Sequence, residues 1–245
     1  MDIDHLKEHH EKEATYWWFV NKRLLVDRLC RLYCGPPGRL LEVGGGGGMQ
    51  AAAFARAGWR VIAADVEPIA AGFLREHGLR DVVLMDGGAP WPFRQKSLDL
   101  VVMLDILEHL EDDVDALREA NRVLKPAGAL ILSVPANPIL YSNWDRSTGH
   151  YRRYTRRQLE SVVRAGGLEI VRVSFWNMIS LLPVALVRGK EHLTRRRKTR
   201  AEFPTVPRMA NTLLKGWGRL ETHLIGSADL PFGLSMIAVL KRPGA

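Results

Sequence analysis

Residues suited to ligand binding cluster between positions 44 and 86 of the chain. Five consecutive glycines occupy positions 44–48, and the carboxylates of Asp65 and Asp86 end two later apolar runs. Glycine loses more conformational freedom on folding than any other residue, so five in a row indicate a backbone that turns sharply and lies against something. A carboxylate only accepts hydrogen bonds, which suits a ligand that carries hydroxyl or amino groups. The pattern predicts a cradle of backbone amides and carboxylates.

A dinucleotide fits this spacing poorly. Its fingerprint, begun at Gly44, continues through Gly46 to a glycine or alanine at position 49, where this chain has Met49. The spacing therefore disfavours NAD, and NAD-linked oxidoreduction stays only as an alternative function.

Short apolar runs alternate with helical patterns around these residues. Near-continuous apolar runs are typical of strands buried on both faces of a parallel sheet. We predict strands at 39–44, 60–66, 81–86, 98–105 and 129–135, with helices at 49–57, 68–76 and 112–124, the last stopped by Gly128. This alternation predicts an α/β fold with an open, doubly wound, mostly parallel sheet and helices on both faces. The glycines then lie at the carboxyl ends of the strands, where such sheets bind ligands.

The alternation changes after residue 150. Thr155 begins a helix that ends before the glycines at 166 and 167, a strand follows at 169–175, and residues 233–243 offer a final strand. Between these strands, residues 178–230 are interpreted as a basic, partly helical insertion. We divide the chain into an N-terminal helical lid at 1–35 and one ligand-binding domain at 36–245.

Charge and composition limit the class of protein. The chain has 245 residues, 47% of them hydrophobic, and a net charge of +8, with seven basic residues against one acidic in 188–200 and a second basic cluster at 151–158. Such clusters indicate an anionic partner, namely nucleic acid, a membrane surface or an acidic small molecule, or else a solvated face. The first ten residues lack an apolar leader, so we expect a cytoplasmic protein. Cys30 and Cys34 are interpreted as reduced structural thiols.

The motifs resemble those of the class I S-adenosylmethionine-dependent methyltransferases over residues 36–177. The first motif of that family, acid-x-Gly-x-Gly-x-Gly, is matched by Glu42 and the glycines, and Asp65 and Asp86 stand where the family has acids for the ribose hydroxyls and the adenine amino group. The resemblance implies a seven-stranded Rossmann-like sheet and S-adenosylmethionine as cofactor, with S-adenosylhomocysteine as product. It implies the cofactor-binding residues Glu42, Gly44, Gly46, Gly48, Asp65, Val66, Asp86, Gly87 and Leu104.

Methyl transfer from a sulfonium needs no covalent nucleophile, because holding acceptor and methyl group in near-attack geometry supplies much of the catalysis. A hydroxyl acceptor gains from a general base. His150, in a loop after the fifth strand, is our first candidate and His109 the second, although either histidine could be structural. Glu108 beside His109 could bind a divalent cation with a distant acid, but adjacent residues alone do not form a site, and we predict no metal.

Two accessory regions are expected to select the acceptor. The aromatic run Tyr16, Trp17 and Trp18 precedes an amphipathic helix and suits a lid, or a helix packed on the sheet. Tyr151 and Arg153 are further candidates for substrate contact. Residues 174–200 join an apolar stretch to the basic run, which suits peripheral membrane contact or the roof of an apolar pocket.

These observations predict O-methylation of a small natural-product or lipid-like acceptor. N- or C-methylation stays an alternative, and so does RNA methylation, although no appended RNA-binding module is visible. A non-catalytic cofactor-binding partner is a further alternative. The sequence leaves the oligomeric state open.

Overall fold

The computed structural model describes residues 3–88, 90–194 and 203–244. Within these ranges one sheet is built from β1 (Arg39–Val43), β2 (Arg60–Asp65), β3 (Asp81–Leu84), β4 (Leu98–Leu104), β5 (Leu124–Pro135), β6 (Glu169–Trp176) and β7 (Ser235–Lys241). The helices are α1 (Ile3–Glu13), α2 (Trp17–Tyr33), α3 (Met49–Arg56), α4 (Pro68–Glu76), α5 (Asp113–Val123), α6 (Asn143–Ser147), α7 (Arg156–Ala165), α8 (Leu181–Thr194) and α9 (Arg208–Ile225).

The strand order is β3-β2-β1-β4-β5-β7-β6. Neighbours from β3 to β5 are parallel, whereas β7 is antiparallel to both β5 and β6. The order reverses between β1 and β4, which leaves a crevice at their carboxyl ends because the connecting helices leave in opposite directions. The predicted fold is confirmed, including an insertion before the last strand.

Both faces of the sheet are buried, because alternate residues of each central strand point to opposite sides. On one face Leu41 and Met103 pack with residues of α5 and α7. On the other face Leu40 and Val102 pack with residues of α2 and α3. Double burial explains why the central strands are apolar throughout and holds their carboxyl ends at one edge.

The predicted strands and helices are found within one or two residues of their expected bounds, except at the start of β5. That strand begins at Leu124 instead of residue 129, and α5 ends at Val123. Gly128 therefore lies inside the strand, and the prediction that it stops the helix is wrong. Leu124 is extended and pairs with Leu98, and Pro126 disfavours helical backbone at the residue before it.

The N-terminal aromatics begin a helix instead of preceding one. Tyr16 is the N-cap of α2, and Trp17, Trp18 and Phe19 form its first turn. The insertion contains α8 and α9, and α9 packs along α2 through Asn21, whose side-chain amide donates to the Leu214 carbonyl at 2.9 Å. Most of the basic run at 188–200 lies outside the described residues. Among the helices described, none is long and apolar enough to cross a bilayer.

Leu100 tests the packing of the central strands. It is fully buried in β4, and Leu100→Ala is expected to lower the free energy of unfolding by about 2–5 kcal/mol, because the lost contacts leave a cavity. Leu32→Ala on α2, where the leucine is 50% exposed, is the matched control and should change it by about 0.5 kcal/mol or less. Urea unfolding measures both, and equal losses would contradict the assigned packing.

Candidate functional site

The glycine-rich loop turns at the carboxyl end of β1. Gly44, Gly46 and Gly48 have positive φ angles of 77°, 51° and 93°, a backbone region that side chains other than glycine rarely adopt. A Cβ atom at Gly44 would also collide with Ile106. The loop is fixed by Asp65, whose Oδ2 accepts a hydrogen bond from the Gly46 amide at 2.9 Å. Glycine is thus required here for backbone shape and for close approach.

Asp65 ends β2 beside this loop. Its Oδ1 accepts from the Glu67 amide at 2.9 Å, and burial raises the pKa of its carboxyl. The adjacent Val66 side chain is exposed, as expected for a residue that could cover one face of a flat ligand. Asp86 is exposed and accepts from the Gly88 amide at 2.9 Å. These side chains follow neighbouring strands, so Asp65 and Asp86 lie at one edge of the sheet.

A cavity of about 50 Å³ lies between the glycine loop and the N-terminal helices. Basic and acidic side chains line it, with Lys22 and Arg23 from α2, Glu13 from α1 and Glu42 from β1. The remaining lining residues are His9, Phe19, Gly44, Gly45, Gln50 and Leu104. Glu42 is 3% exposed, and its Oε2 has no hydrogen-bond partner among the described residues. Burial, with Glu13 nearby, raises the pKa of Glu42 well above its ordinary value.

Helix α1 closes this cavity from above. Glu13 Oε2 accepts from the Met49 amide at 3.2 Å, and His10 Nδ1 lies 3.1 Å from the Gly47 carbonyl oxygen. His10 also stacks on Phe73, with ring centroids 3.9 Å apart. Burial, with Lys22 nearby, lowers the pKa of His9 to about 3, so this lining ring is neutral. The N-terminal helix therefore contacts the glycine loop directly.

Lys22 joins α2 to the end of β4. Its Nζ lies 3.0 Å from Asp105 Oδ2 and 4.1 Å from the centroid of the Trp18 ring. Asp105 has a φ of 56°, and its Oδ1 accepts from the Ser133 hydroxyl at 2.8 Å. Burial opposes ionisation of Asp105, but the Lys22 ammonium holds its pKa below the ordinary value. An ionised carboxylate thus stands at the floor of the crevice.

Three potential metal ligands meet after β4. Glu108, His109 and His150 place one ligand atom each within 4.8 Å of one another. Glu108 is fully buried, and neither of its carboxyl oxygens has a hydrogen-bond partner. Burial, followed by the charge of Asp105, raises its pKa well above the ordinary value. Two imidazoles with a carboxylate suit a divalent transition metal. Glu108 and His109 alone would not form such a site, and the structure brings His150 next to them as a third potential ligand.

A charged network orients His150. Asp145 Oδ1 lies 3.1 Å from His150 Nδ1 and 2.7 Å from Arg153 Nε, and its Oδ2 lies 3.1 Å from Arg188 NH1. Burial opposes the charge of Asp145, but the hydrogen bond to His150 and the two guanidinium groups hold its pKa below the ordinary value. With Nδ1–H donating to Asp145, the His150 Nε2 lone pair faces Glu108, 4.0 Å away.

The structure separates the predicted substrate contacts. Trp18 stacks near Trp176, with centroids 5.9 Å apart, and Trp17 is buried, with its amide donating to Asn211 on α9. The Tyr16 hydroxyl donates to the Pro204 carbonyl at 3.2 Å. The two predicted contact residues that follow β5 differ in exposure. Tyr151 is exposed, whereas Arg153 is buried and donates to Asp145.

Sequence reasoning missed several residues of the site: Glu13, Lys22, Arg23, Asp145 and Arg188. Lys22 could have been found, because it follows Trp18 by four residues and so shares its helix face. Asp145 and Arg188 come from separate segments, and no spacing in the sequence links them to His150.

The comparisons with known proteins agree with this geometry. A family model described as a methyltransferase domain matches residues 41–132. The chain is 28% identical over 157 residues to the mitochondrial ubiquinone biosynthesis O-methyltransferase of Schizosaccharomyces pombe, covering 57% of this chain and 56% of that protein. It is 36% identical over 137 residues to the ubiquinone biosynthesis O-methyltransferase of Xanthomonas campestris pv. campestris, covering 49% of this chain and 56% of that protein.

A solved structure extends the similarity to the whole fold. The crystal structure of an S-adenosylmethionine-dependent methyltransferase from Archaeoglobus fulgidus matches with a TM-score of 0.62 and 19% identity, covering 98% of this chain and 100% of that one. This chain spans little more than half the length of the two curated relatives. Residues 41–132 match a methyltransferase domain, the fold is that of the class I S-adenosylmethionine-dependent methyltransferases, and the cofactor of that class is S-adenosylmethionine.

His109 provides a pH test of the buried cluster. Burial, with His150 nearby, lowers its pKa from 6.5 to about 4. Between these values the unfolded chain binds the proton and the folded chain does not, so acidification favours unfolding. From about pH 7 to about pH 4, wild type should lose about 2 kcal/mol more stability than His109→Gln. Urea unfolding across pH measures this, with His223→Gln on exposed α9 as control; parallel curves for wild type and His109→Gln would contradict the burial.

Proposed function

We propose that this protein transfers a methyl group from S-adenosylmethionine to an oxygen of a small acceptor, either a natural product or a lipid-like molecule, in a biosynthetic reaction. The observation that carries the proposal is the mixed-charge cavity between the glycine loop and α2, beside Asp65. The oxygen acceptor is supported by the two relatives named as ubiquinone biosynthesis O-methyltransferases and by the orientation of His150.

The residues present fit this cofactor. Its amino acid end is a zwitterion, and the cavity offers the Lys22 and Arg23 cations for a carboxylate and the unpartnered Glu42 carboxyl for an ammonium group. Gly44 has a positive φ, and Ile106 occupies the place of a Cβ atom there, so the loop offers bare backbone at this position. Asp65 and Asp86 stand in line along the sheet edge, as acceptors for the ribose hydroxyls and the adenine amino group. Val66, Gly87 and Leu104 supply the walls.

The proposed lid is formed by α1 and α2. Glu13 on α1 already holds the first amide of α3, and His10 holds the loop at Gly47. Closure of these helices excludes water from the reacting centre, which strengthens the electrostatic interactions inside it. Lys22 couples the lid to the crevice floor through Asp105. Entry of the cofactor then requires α1 to move, because a cavity of about 50 Å³ is much smaller than a site for a nucleoside.

Bound S-adenosylmethionine supplies an activated methyl group on a sulfonium. The chain contributes position and proton transfer: the crevice aligns the acceptor, and His150 Nε2 accepts the hydroxyl proton as the oxygen attacks. Asp145 is a positioning residue, because it fixes the His150 tautomer and stabilises the imidazolium that results. Arg153 and Arg188 keep Asp145 ionised, so the insertion that carries Arg188 supports the base.

Other functions predict different behaviour. An N-methyltransferase would use the same cavity without needing His150, whereas a C-methyltransferase would still need a base for the proton on carbon. RNA methylation would show salt-dependent RNA retention. A non-catalytic cofactor-binding partner would bind S-adenosylhomocysteine without turnover. The Asp145–His150 pair favours the oxygen acceptor, since an amine that is already neutral needs no base.

Asp65 tests cofactor binding. Asp65→Asn removes the negative charge and replaces one of the two carboxylate oxygens proposed to accept the ribose hydroxyls. The change should weaken S-adenosylhomocysteine binding about 10- to 100-fold, as measured by calorimetry. Asp81→Asn, at the exposed start of β3, is the matched control and should leave the affinity unchanged. Equal affinity of Asp65→Asn and wild type would show that this carboxylate does not hold the cofactor.

His150 tests the acceptor chemistry. His150→Gln should lower kcat about 100-fold or more on whichever catechol, quinol or alcohol of a probe panel wild type methylates, because the base is lost. S-adenosylhomocysteine affinity should stay the same, which separates catalysis from folding. Asp145→Asn should lower kcat and change its pH profile, because the ring is no longer held in one tautomer. Methylation of amines alone, insensitive to His150→Gln, would instead establish an N-methyltransferase.

A further inference from the structure

Helix α9 presents an apolar stripe to solvent along its whole length. The stripe consists of five residues spaced by three or four, each between 41% and 78% exposed: Met209, Leu213, Trp217, Leu220 and Leu224. This spacing places all five on one face of the helix. Eighteen residues give a helix about 27 Å long. Isolated exposed apolar residues are ordinary, but a continuous stripe of this length marks an interaction surface.

The stripe is not the side that packs on the protein. The packed face carries Asn211, which accepts from the Trp17 amide at 2.9 Å, and Gly218, which lies against Asn21. Glu221 and Ile225 are buried on that same side. The helix is therefore anchored to α2 by one face and leaves a second, apolar face largely exposed within the described part of the chain.

A third face of α9 is basic. Arg208, Lys215 and Arg219 follow one another at intervals of seven and four residues, and none forms an ion pair with a residue in the described ranges. The single acidic residue of the helix, Glu221, is buried and accepts from the Met178 amide at 2.8 Å. The solvent side of α9 is thus apolar and cationic, with no exposed carboxylate of its own.

We infer that α9 docks the protein on an anionic lipid surface. An apolar stripe beside a cationic face is the arrangement with which amphipathic helices lie in a membrane interface, and tryptophan suits that boundary. The chain carries a net charge of +8, so a second copy would bring cation against cation, whereas anionic headgroups complement it. The sequence predicts membrane contact through residues 174–200. In the structure Leu182, Leu186 and Val187 of that segment are exposed. The continuous apolar stripe, however, lies on α9.

Docking through α9 would set the crevice roof at the membrane. The helix packs on α2, and α2 supplies Phe19, Lys22 and Arg23 to the cavity. A lipid-like acceptor could then reach the site without crossing water. The docking itself does not rest on the proposed methyl transfer, since it can be measured without cofactor or acceptor.

Vesicle sedimentation tests the proposal with the full chain. Wild type should bind phosphatidylcholine vesicles that contain phosphatidylglycerol, release them as salt is raised, and leave pure phosphatidylcholine vesicles unbound. The double variant Leu213→Glu, Leu220→Glu should bind about tenfold less or weaker still, and Arg219→Gln about fivefold less. Leu84→Glu is the matched control, because that leucine is 58% exposed on β3 at the far edge of the sheet.

Thermal unfolding establishes that each variant folds, and light scattering reports its oligomeric state. Loss of binding in the double variant, with retention in Leu84→Glu, supports docking through α9. Absence of binding by wild type, or equal binding by the double variant, overturns it. A dimer that the double variant dissociates also overturns it, because the stripe would then be covered by a second copy.

Discussion

The reversal of strand order between β1 and β4 is the constraint on which the rest of the structure depends. It opens a crevice at the carboxyl ends of two strands that are buried on both faces and so are held rigidly by the core. The glycine loop can approach a ligand there only because Gly44, Gly46 and Gly48 adopt backbone angles that other residues avoid. Asp65 fixes the loop from the next strand. The N-terminal helices add the cations Lys22 and Arg23 to a crevice whose own ionisable groups are carboxyls.

The two buried carboxyl groups beside His150, those of Asp145 and Glu108, differ in ionisation because their surroundings differ. Asp145 is surrounded by His150, Arg153 and Arg188, so it stays ionised and holds the imidazole in place. Glu108 is equally buried but has no hydrogen-bond partner, so it favours the neutral form. Glu108, His109 and His150 also lie close enough together to bind a cation, and a bound metal would change what His150 can do.

Much of the fold could be predicted from the sequence, because continuous apolar runs and glycine punctuation are local signals. The strands from β1 to β4 illustrate this, and the position of the glycine loop followed from them. The start of β5 is not predictable in this way, because Pro126 and Gly128 interrupt the strand pattern, whereas the pairing of Leu124 with Leu98 is a tertiary contact. The cradle residues follow from a motif of fixed spacing. Lys22, Asp145 and Arg188 could not be assigned in this way, because tertiary packing alone brings α2, α6 and α8 to the crevice. The exposed apolar stripe of α9 cannot be assigned from the sequence for a related reason, because its buried, apolar and basic faces are distinguished only once the face that packs on α2 is known.

A crystal structure of the protein grown with S-adenosylhomocysteine tests the central claim most directly. The account predicts density for the nucleoside in the crevice, with its ribose hydroxyls on Asp65, its amino acid end between Lys22, Arg23 and Glu42, and its sulfur directed toward His150. Density elsewhere on the molecule, or none in the crevice at a saturating concentration, would contradict it.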